Sequence, residues 1–257
     1  MRKFLILVAV LACLLAACGS RETHPTASSD SAAFLETNPY TAEDFTYNGE
    51  RLVCRSGRAV TGIDVSVHQG TIDWEAVARD GIDFAMVRVG YRGYLDGALH
   101  EDVNARANIE GALAAGLDVG VYIFSQALTP EEAAEEADFI IDYISGYDIS
   151  MPVVFDWETV EDPEARTTEP RGREMLTELA LAFCRRVDAA GYRPMVYFNR
   201  YQGDDLLDLW QLREYGFWLA QYDAPMTFPW QISMWQYSER GTVEGIREKV
   251  DLNLYFP

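Results

Sequence analysis

From residue 61 onward, short runs of β-branched and aromatic residues alternate with longer stretches of helical periodicity. This alternation constrains the fold more than any other feature of the 257-residue chain. Strand-like runs fall at residues 61–66, 82–89, 117–124, 152–155, 193–198, 217–222, 233–237 and 250–254. Helical patterns begin near residue 72 and span 101–115, 131–145 and 173–190, with Gly116, Gly146 and Gly191 placed to end the last three. Within 131–145, Ala133, Ala134, Ala137, Ile140, Ile141 and Ile144 share one face. Strands separated by helices of this length run parallel through right-handed crossovers. Eight of them over residues 61–257 fit a single closed TIM-like (β/α) barrel better than two open sheets. Little helical pattern separates the last three strands, so the α/β barrel should be irregular, with short or missing helices in its C-terminal part.

Ahead of the barrel the chain changes character twice. Arg2 and Lys3 precede an unbroken apolar run, residues 4–17, which is too short to span a bilayer comfortably and has the form of a signal segment. It ends in Leu15-Ala16-Ala17-Cys18, which resembles the lipobox of bacterial lipoproteins. That resemblance implies removal of residues 1–17, lipidation of Cys18, and a protein outside the cytoplasm that meets the membrane through its lipid anchor only. Residues 18–33, small and polar after the cysteine, read as a tether. Residues 34–60 read as an arm whose last part, 51–60, could pair as a short hairpin. Cys54 and Cys184 remain, and an exported pair could form a disulfide. Cys184, however, lies in the helical stripe Leu176, Leu179, Ala180, Phe183, Val187 and reads as a buried small hydrophobe.

Asp and Glu number 41 against 21 Lys and Arg, a net charge of −20, which is the wrong sign for holding a nucleic-acid backbone. Where the acids fall is more informative than how many there are. Asp64 lies near the end of the first strand, in GIDVSVHQG; Asp156 and Glu158 close the fourth, in PVVFDWE; Asp251 opens the last, in VDLN. Each interrupts a stretch rich in Val, Ile, Phe or Trp, where a buried charge is costly unless it is paired or working. In a parallel barrel, chemistry gathers at the C-terminal strand ends. Strand residues i and i+2 point the same way, so Asp156 and Glu158 project together. The less solvated of two close carboxyls is driven toward its protonated form, leaving an acid beside an anion. That pairing is what glycosidic cleavage requires. Asp-x-Glu is also common in an acidic chain, and a solvated surface pair fits the pattern as well.

In order, the segments GIDVSVHQGTIDW, FAMVRVGYRGY, ANIEGALAAGLDVGVYIFSQ, PVVFDWE, GYRPMVYFN, FWLAQY, MWQYSERGTVEGI and VDLN resemble the glycoside hydrolase family 25 lysozymes. Those muramidases cut peptidoglycan between N-acetylmuramic acid and N-acetylglucosamine. The resemblance covers residues 61–257 and implies a flattened, irregular barrel with an acidic groove at its C-terminal face. It also implies peptidoglycan glycan strands as the partner and no metal or organic cofactor; a monomer is the expected state. Carried onto this chain, Glu158 matches the general acid and Asp156 the carboxylate that assists the 2-acetamido group of the reacting sugar. Asp64 and Asp251 match the other two acids of the groove. Attack by the sugar's own amide oxygen and direct attack by water both remain open.

Tyr122, Phe124, Tyr197, Trp218, Tyr222 and Trp235 with Gln236 fall in the matched segments and would line the sugar site, core packing being the competing use of such residues. Arg88 would either bind a substrate carboxylate or neutralise the acids. Asp64, Ser66 and His68 suggest a hydrolase triad, but they sit on one short segment with no Gly-x-Ser-x-Gly elbow. A non-catalytic glycan-binding lipoprotein would lose at least one of the four acids. A chitinase-like site would want an acid where Val154 stands, and a metal-dependent deacetylase would want His ligands beside the leading Asp.

Overall fold

Most strands of the sheet bury both faces, which is why their sequences read as near-continuous apolar runs rather than clean alternation. The computed structural model describes residues 35–222 and 225–257; the expected signal segment, lipidation site at Cys18 and tether lie outside the described residues. In chain order the elements are β1 (Phe45–Asn48), β2 (Arg51–Cys54), β3 (Val60–Val65), α1 (Trp74–Arg79), β4 (Phe84–Arg92), β5 (Leu99–Glu101) and α2 (Ala105–Ala114). There follow β6 (Asp118–Ser125), α3 (Pro130–Ile144), β7 (Val153–Trp157), α4 (Arg173–Ala189), β8 (Pro194–Asn199), β9 (Gly216–Ala220), β10 (Met234–Gly241) and β11 (Val250–Tyr255).

The strand order β3-β11-β10-β9-β8-β7-β6-β4 closes through a β3–β4 pairing, giving an eight-stranded barrel among the described residues, with β5 added on β4. All neighbours along the barrel are parallel except β11, which runs antiparallel to both β10 and β3. Residues 242–249, which join β10 to β11, are too few for a crossover, so the chain can only turn back on itself. This places Asp251, the start of β11, in register with Asp64, near the end of β3. A residue that opens an antiparallel strand thus shares the rim with residues that close parallel ones.

Alternate strand residues fill two separate cores. Phe84, Met86, Val154, Met195, Trp218 and Met234 pack inside the barrel. A Cβ on Gly62 would stand 2.3 Å from the Phe84 ring, so the missing side chain is what lets that ring fill the interior beside β3. On the outside, Val65, Val87, Val121, Phe155, Val196 and Leu219 belong to one cluster with Ile109, Ile140, Leu179 and Phe183 of the helices. Thr129 caps α3, its Oγ1 accepting from the Glu132 N–H at 3.3 Å, with Pro130 at the first helical position where its absent N–H is harmless.

The arm differs from its sequence expectation. The hairpin is 45–54, not 51–60, because the turn is made at Gly49, with φ 66°, and Glu50. It packs on the outer face of the barrel, Phe45 standing edge-on to Trp235 at 5.2 Å, and residues 35–257 form one compact unit. Cys54 and Cys184 are both free and buried, and burial pushes the Cys184 thiol up.

Candidate active site

Asp64, Asp156, Glu158 and Asp251 meet in one pocket of about 240 Å3 at the C-terminal rim, together with Arg88, Tyr122, Phe124, Tyr197, Trp218, Tyr222 and Gln236. The strands bring them there in adjacent registers: Asp156 lies between Phe124 on β6 and Tyr197 on β8, and Asp64 faces Asp251 across the β3–β11 pair. Asp64 and Asp156 are nearly sequestered, at 5% and 6% exposure. Trp157 points the other way, into the outer core, with its indole N–H donating to the Ala127 carbonyl at 3.0 Å. The period of two thus turns both carboxyls of Asp156-Trp157-Glu158 into the pocket.

The four acids act on one another in two pairs, Asp156 with Glu158 and Asp64 with Asp251. Burial, then the neighbouring Glu158 charge, raises Asp156 well above the usual carboxylate range. Glu158 is raised by burial, with its hydrogen bond to Asp156 acting against that. Asp156, the more deeply buried of the two, is the one driven further toward its neutral form. In the second pair, burial and the adjacent Asp64 push Asp251 up to about 9. Asp64 is also raised by burial, but Asn253 and Gln236 stabilise its charged form. Asn253 Nδ2 donates to Asp64 Oδ2 at 2.7 Å and Gln236 Nε2 donates to the same oxygen at 2.9 Å. Gln236 is held in that orientation by the Tyr197 and Tyr222 hydroxyls, which donate to its Oε1 at 2.8 and 2.6 Å. Burial and mutual repulsion thus push at least one carboxyl of each pair toward its neutral form, which is how one small pocket tolerates four of them.

Residues 63–246 match the family profile described as glycosyl hydrolases family 25. The chain belongs to glycosyl hydrolase family 25. It is 27% identical over 208 residues to lysozyme M1 of Streptomyces globisporus, covering 76% of this chain and 67% of that protein. With the autolytic lysozyme of Clostridium acetobutylicum it shares 26% over 199 residues, 75% of this chain and 54% of the relative. Among solved structures, the modular autolysin LytC from Streptococcus pneumoniae, in complex with a synthetic peptidoglycan ligand, superposes with a TM-score of 0.70 at 25% identity. That match covers 80% of this chain and 48% of LytC, so the chain spans about half to two thirds of these relatives. The bacterial lysozyme from Streptomyces coelicolor shares the fold, with a TM-score of 0.60 at 24% identity over 77% of this chain and 92% of that one.

Within this family 25 barrel, the residues singled out from sequence separate into several environments. Tyr122, Phe124, Tyr197 and Tyr222 line the pocket wall. Trp218 is its buried floor, the indole N–H donating to Asn253 Oδ1 at 2.9 Å. Trp235 is a correction: neighbouring strand residues face opposite ways, so with Gln236 in the pocket Trp235 lies in the outer core, 1% exposed, donating to the Gln221 carbonyl. Arg88 lines the pocket, but its guanidinium is paired with buried Asp102 at 2.8 Å instead of with the four acids. Ser66 accepts from the His68 backbone N–H and caps a short turn.

Sequence reasoning missed Asp102, Glu239, Asn253, Gln126 and Gln202. Asn253 carried a signal, since it stands two residues after Asp251 on the same strand. Gln126 and Gln202 carried none: from the segments after β6 and β8 they donate to the carbonyls of Glu158 at 2.8 Å and Trp157 at 2.7 Å, fixing the backbone that aims Glu158.

Proposed function

We propose that this family 25 protein hydrolyses the β-1,4 bond between N-acetylmuramic acid and N-acetylglucosamine in peptidoglycan, with Glu158 as general acid. The observation that carries this reading is the convergence of Asp156 and Glu158, with Asp64 and Asp251, on one pocket at the barrel rim. Similarity to two lysozymes and to an autolysin structure with a peptidoglycan ligand supports the substrate class. An N-acetylated sugar over Asp156 brings an amide N–H, which a carboxylate accepts more strongly than a protonated carboxyl does, so binding favours the ionised form of Asp156. Its proton then passes to Glu158. Glu158 donates that proton to the leaving oxygen as the C1–O bond breaks, while the sugar's amide oxygen closes on C1. Asp156 balances the charge gained by the amide nitrogen, and the Asp64–Asp251 pair adds negative potential beneath the ring. Water then opens the cyclic intermediate at C1 and gives its proton to the Glu158 carboxylate. Such substrate assistance stands apart from the spacing rule for carboxylate pairs and retains the anomeric configuration.

Muropeptide mass spectrometry after incubation of purified wall with the protein tests the bond: new reducing ends on muramic acid are expected. Reducing ends on glucosamine, or anhydro products, would refute it. Proton NMR of the first-formed anomer tests the route, since direct attack by water would give the α anomer. The protein acts outside the cytoplasm in this reading, held by lipid on Cys18. Cys18→Ala should therefore move it from the membrane to the soluble fraction or block its processing, and unchanged membrane fractionation with no lipid mass on the native N-terminus would reject the anchor.

A further inference from the structure

Two cavities flank the catalytic pocket on opposite sides of the barrel mouth. The broader, about 880 Å3, lies between the loop after β3 and the 242–249 connection and shares His68 and Gln69 with the pocket. The other, a small depression of about 50 Å3 between the segments after β7 and β8, shares Glu158 with it. In the strand order β10 and β9 separate these rims one way round, and β4 and β6 the other, so the two cavities face each other across the mouth. With the acids between them, the three make one line.

Chemistry gives that line a direction. A β-1,4 strand is cut between C1 of one sugar and the O4 of the next, so the group that protonates O4 stands on the side of the departing sugar. Glu158 is shared with the β7–β8 depression, whereas Asp156 belongs to the central pocket alone. At that rim Tyr201 is 55% exposed and makes no hydrogen bond or ring contact among the described residues. Its backbone is nevertheless fixed: Asn199 and Gln202 exchange reciprocal side-chain bonds at 3.0 Å on either side of it, and Gln202 is tied to the Trp157 carbonyl. A ring held open to solvent on an anchored turn is a preformed flat apolar surface.

Building on the glycosidase reading above, we propose that Tyr201 is the stacking platform for the departing sugar. The glycan strand then runs with its reducing end over the β7–β8 rim and its non-reducing end in the groove beside Thr71 and Gly245.

The test compares two substrates: glycan oligomers of defined length, and a β-glycosyl fluoride extended to the same length on its non-reducing side, which puts no ring on the departing side. Tyr201→Ala is expected to lower kcat/KM on the oligomers about tenfold more than on the fluoride, through KM, while Tyr201→Phe, which keeps the ring, restores it. Thr71→Trp, which narrows the opposite groove, is expected to slow both substrates and to spare shorter ones that do not reach it. Both positions are exposed, and circular dichroism checks that folding is retained. Equal losses on the two substrates for Tyr201→Ala, or a phenylalanine variant as poor as the alanine one, would overturn the platform. A Thr71→Trp effect confined to oligomers extended on the reducing side would reverse the assigned direction. Wild-type protein that releases no new muramic acid reducing ends from wall would defeat the glycosidase reading itself, which separates that failure from the others.

Discussion

A carboxyl group in a low-dielectric pocket has three ways to remain there: lose its charge, share a proton, or be surrounded by donors. The four acids use all three. Glu158→Gln keeps the shape but cannot give a proton, so turnover should fall about 10²–10⁴-fold with the melting temperature held. Retention of more than about a tenth of the activity would remove Glu158 from the role of principal acid. Asp251 makes a complementary prediction in stability. Its folded pKa of about 9 lies above the unfolded value of roughly 4, so the folded state takes up the proton. The stability it contributes is complete below the unfolded value and is lost as pH rises through about 9. Asn at this position cannot ionise and can still donate to Asp64. The wild-type melting temperature should therefore fall more steeply between pH 6 and 9 than that of Asp251→Asn, by at least about 2–4 °C, the equivalent of 1 kcal/mol in a domain of this size. Parallel slopes would show that Asp251 is not the protonated partner. The identity of these acids was legible from their strand positions. Which member of each pair holds the proton was not, because burial is set by neighbours far away in sequence.

At the scale of elements, parity along a strand separated structure from site. Gln236 enters the pocket and Trp235 the outer core, so one residue of register distinguishes a site residue from a packing residue. Trp235→Ala should lower stability by about 3–5 kcal/mol through the cavity left beside Phe45, while kcat/KM of the folded fraction stays as in the wild type. A selective loss of substrate affinity with stability intact would return Trp235 to the groove. The hairpin was harder to place from sequence. Its strands expose much of their surface and carry no strong alternation, so only the turn at Gly49 marked it. Helix α3 shows the opposite extreme, since cap, proline and apolar face all agree, and its predicted and observed limits differ by a single residue at each end.

Across the whole molecule, net charge and the coupled acids act on different observables. A chain of −20 approaching a wall that carries its own carboxylates meets long-range repulsion, which salt weakens as the screening length shrinks from about 30 Å at 0.01 M to about 8 Å at 0.15 M. Activity on intact wall should rise with salt over that range, and the rise should shrink on a short neutral oligosaccharide; equal salt dependence on both would discard the repulsion argument. The pH profile belongs to the site and should persist on either substrate. In the proposed mechanism turnover needs one proton on the Asp156–Glu158 pair, so activity should be lost when both are protonated and again when both are ionised. Burial raises both groups, so the bell should be centred above the ordinary carboxylate range near 4. What the sequence by itself determined follows from local periodicity: the eight strands, the helices between them, and the acids that reach one rim together. Only the tertiary structure decided how deeply each acid is buried, that Asp102 takes the charge of Arg88, that Gln126 and Gln202 hold the carbonyls of Glu158 and Trp157, and that two cavities face each other across the mouth. These depend on which strands close against which and how deeply each group is buried, and the spacing of residues along a chain does not encode that.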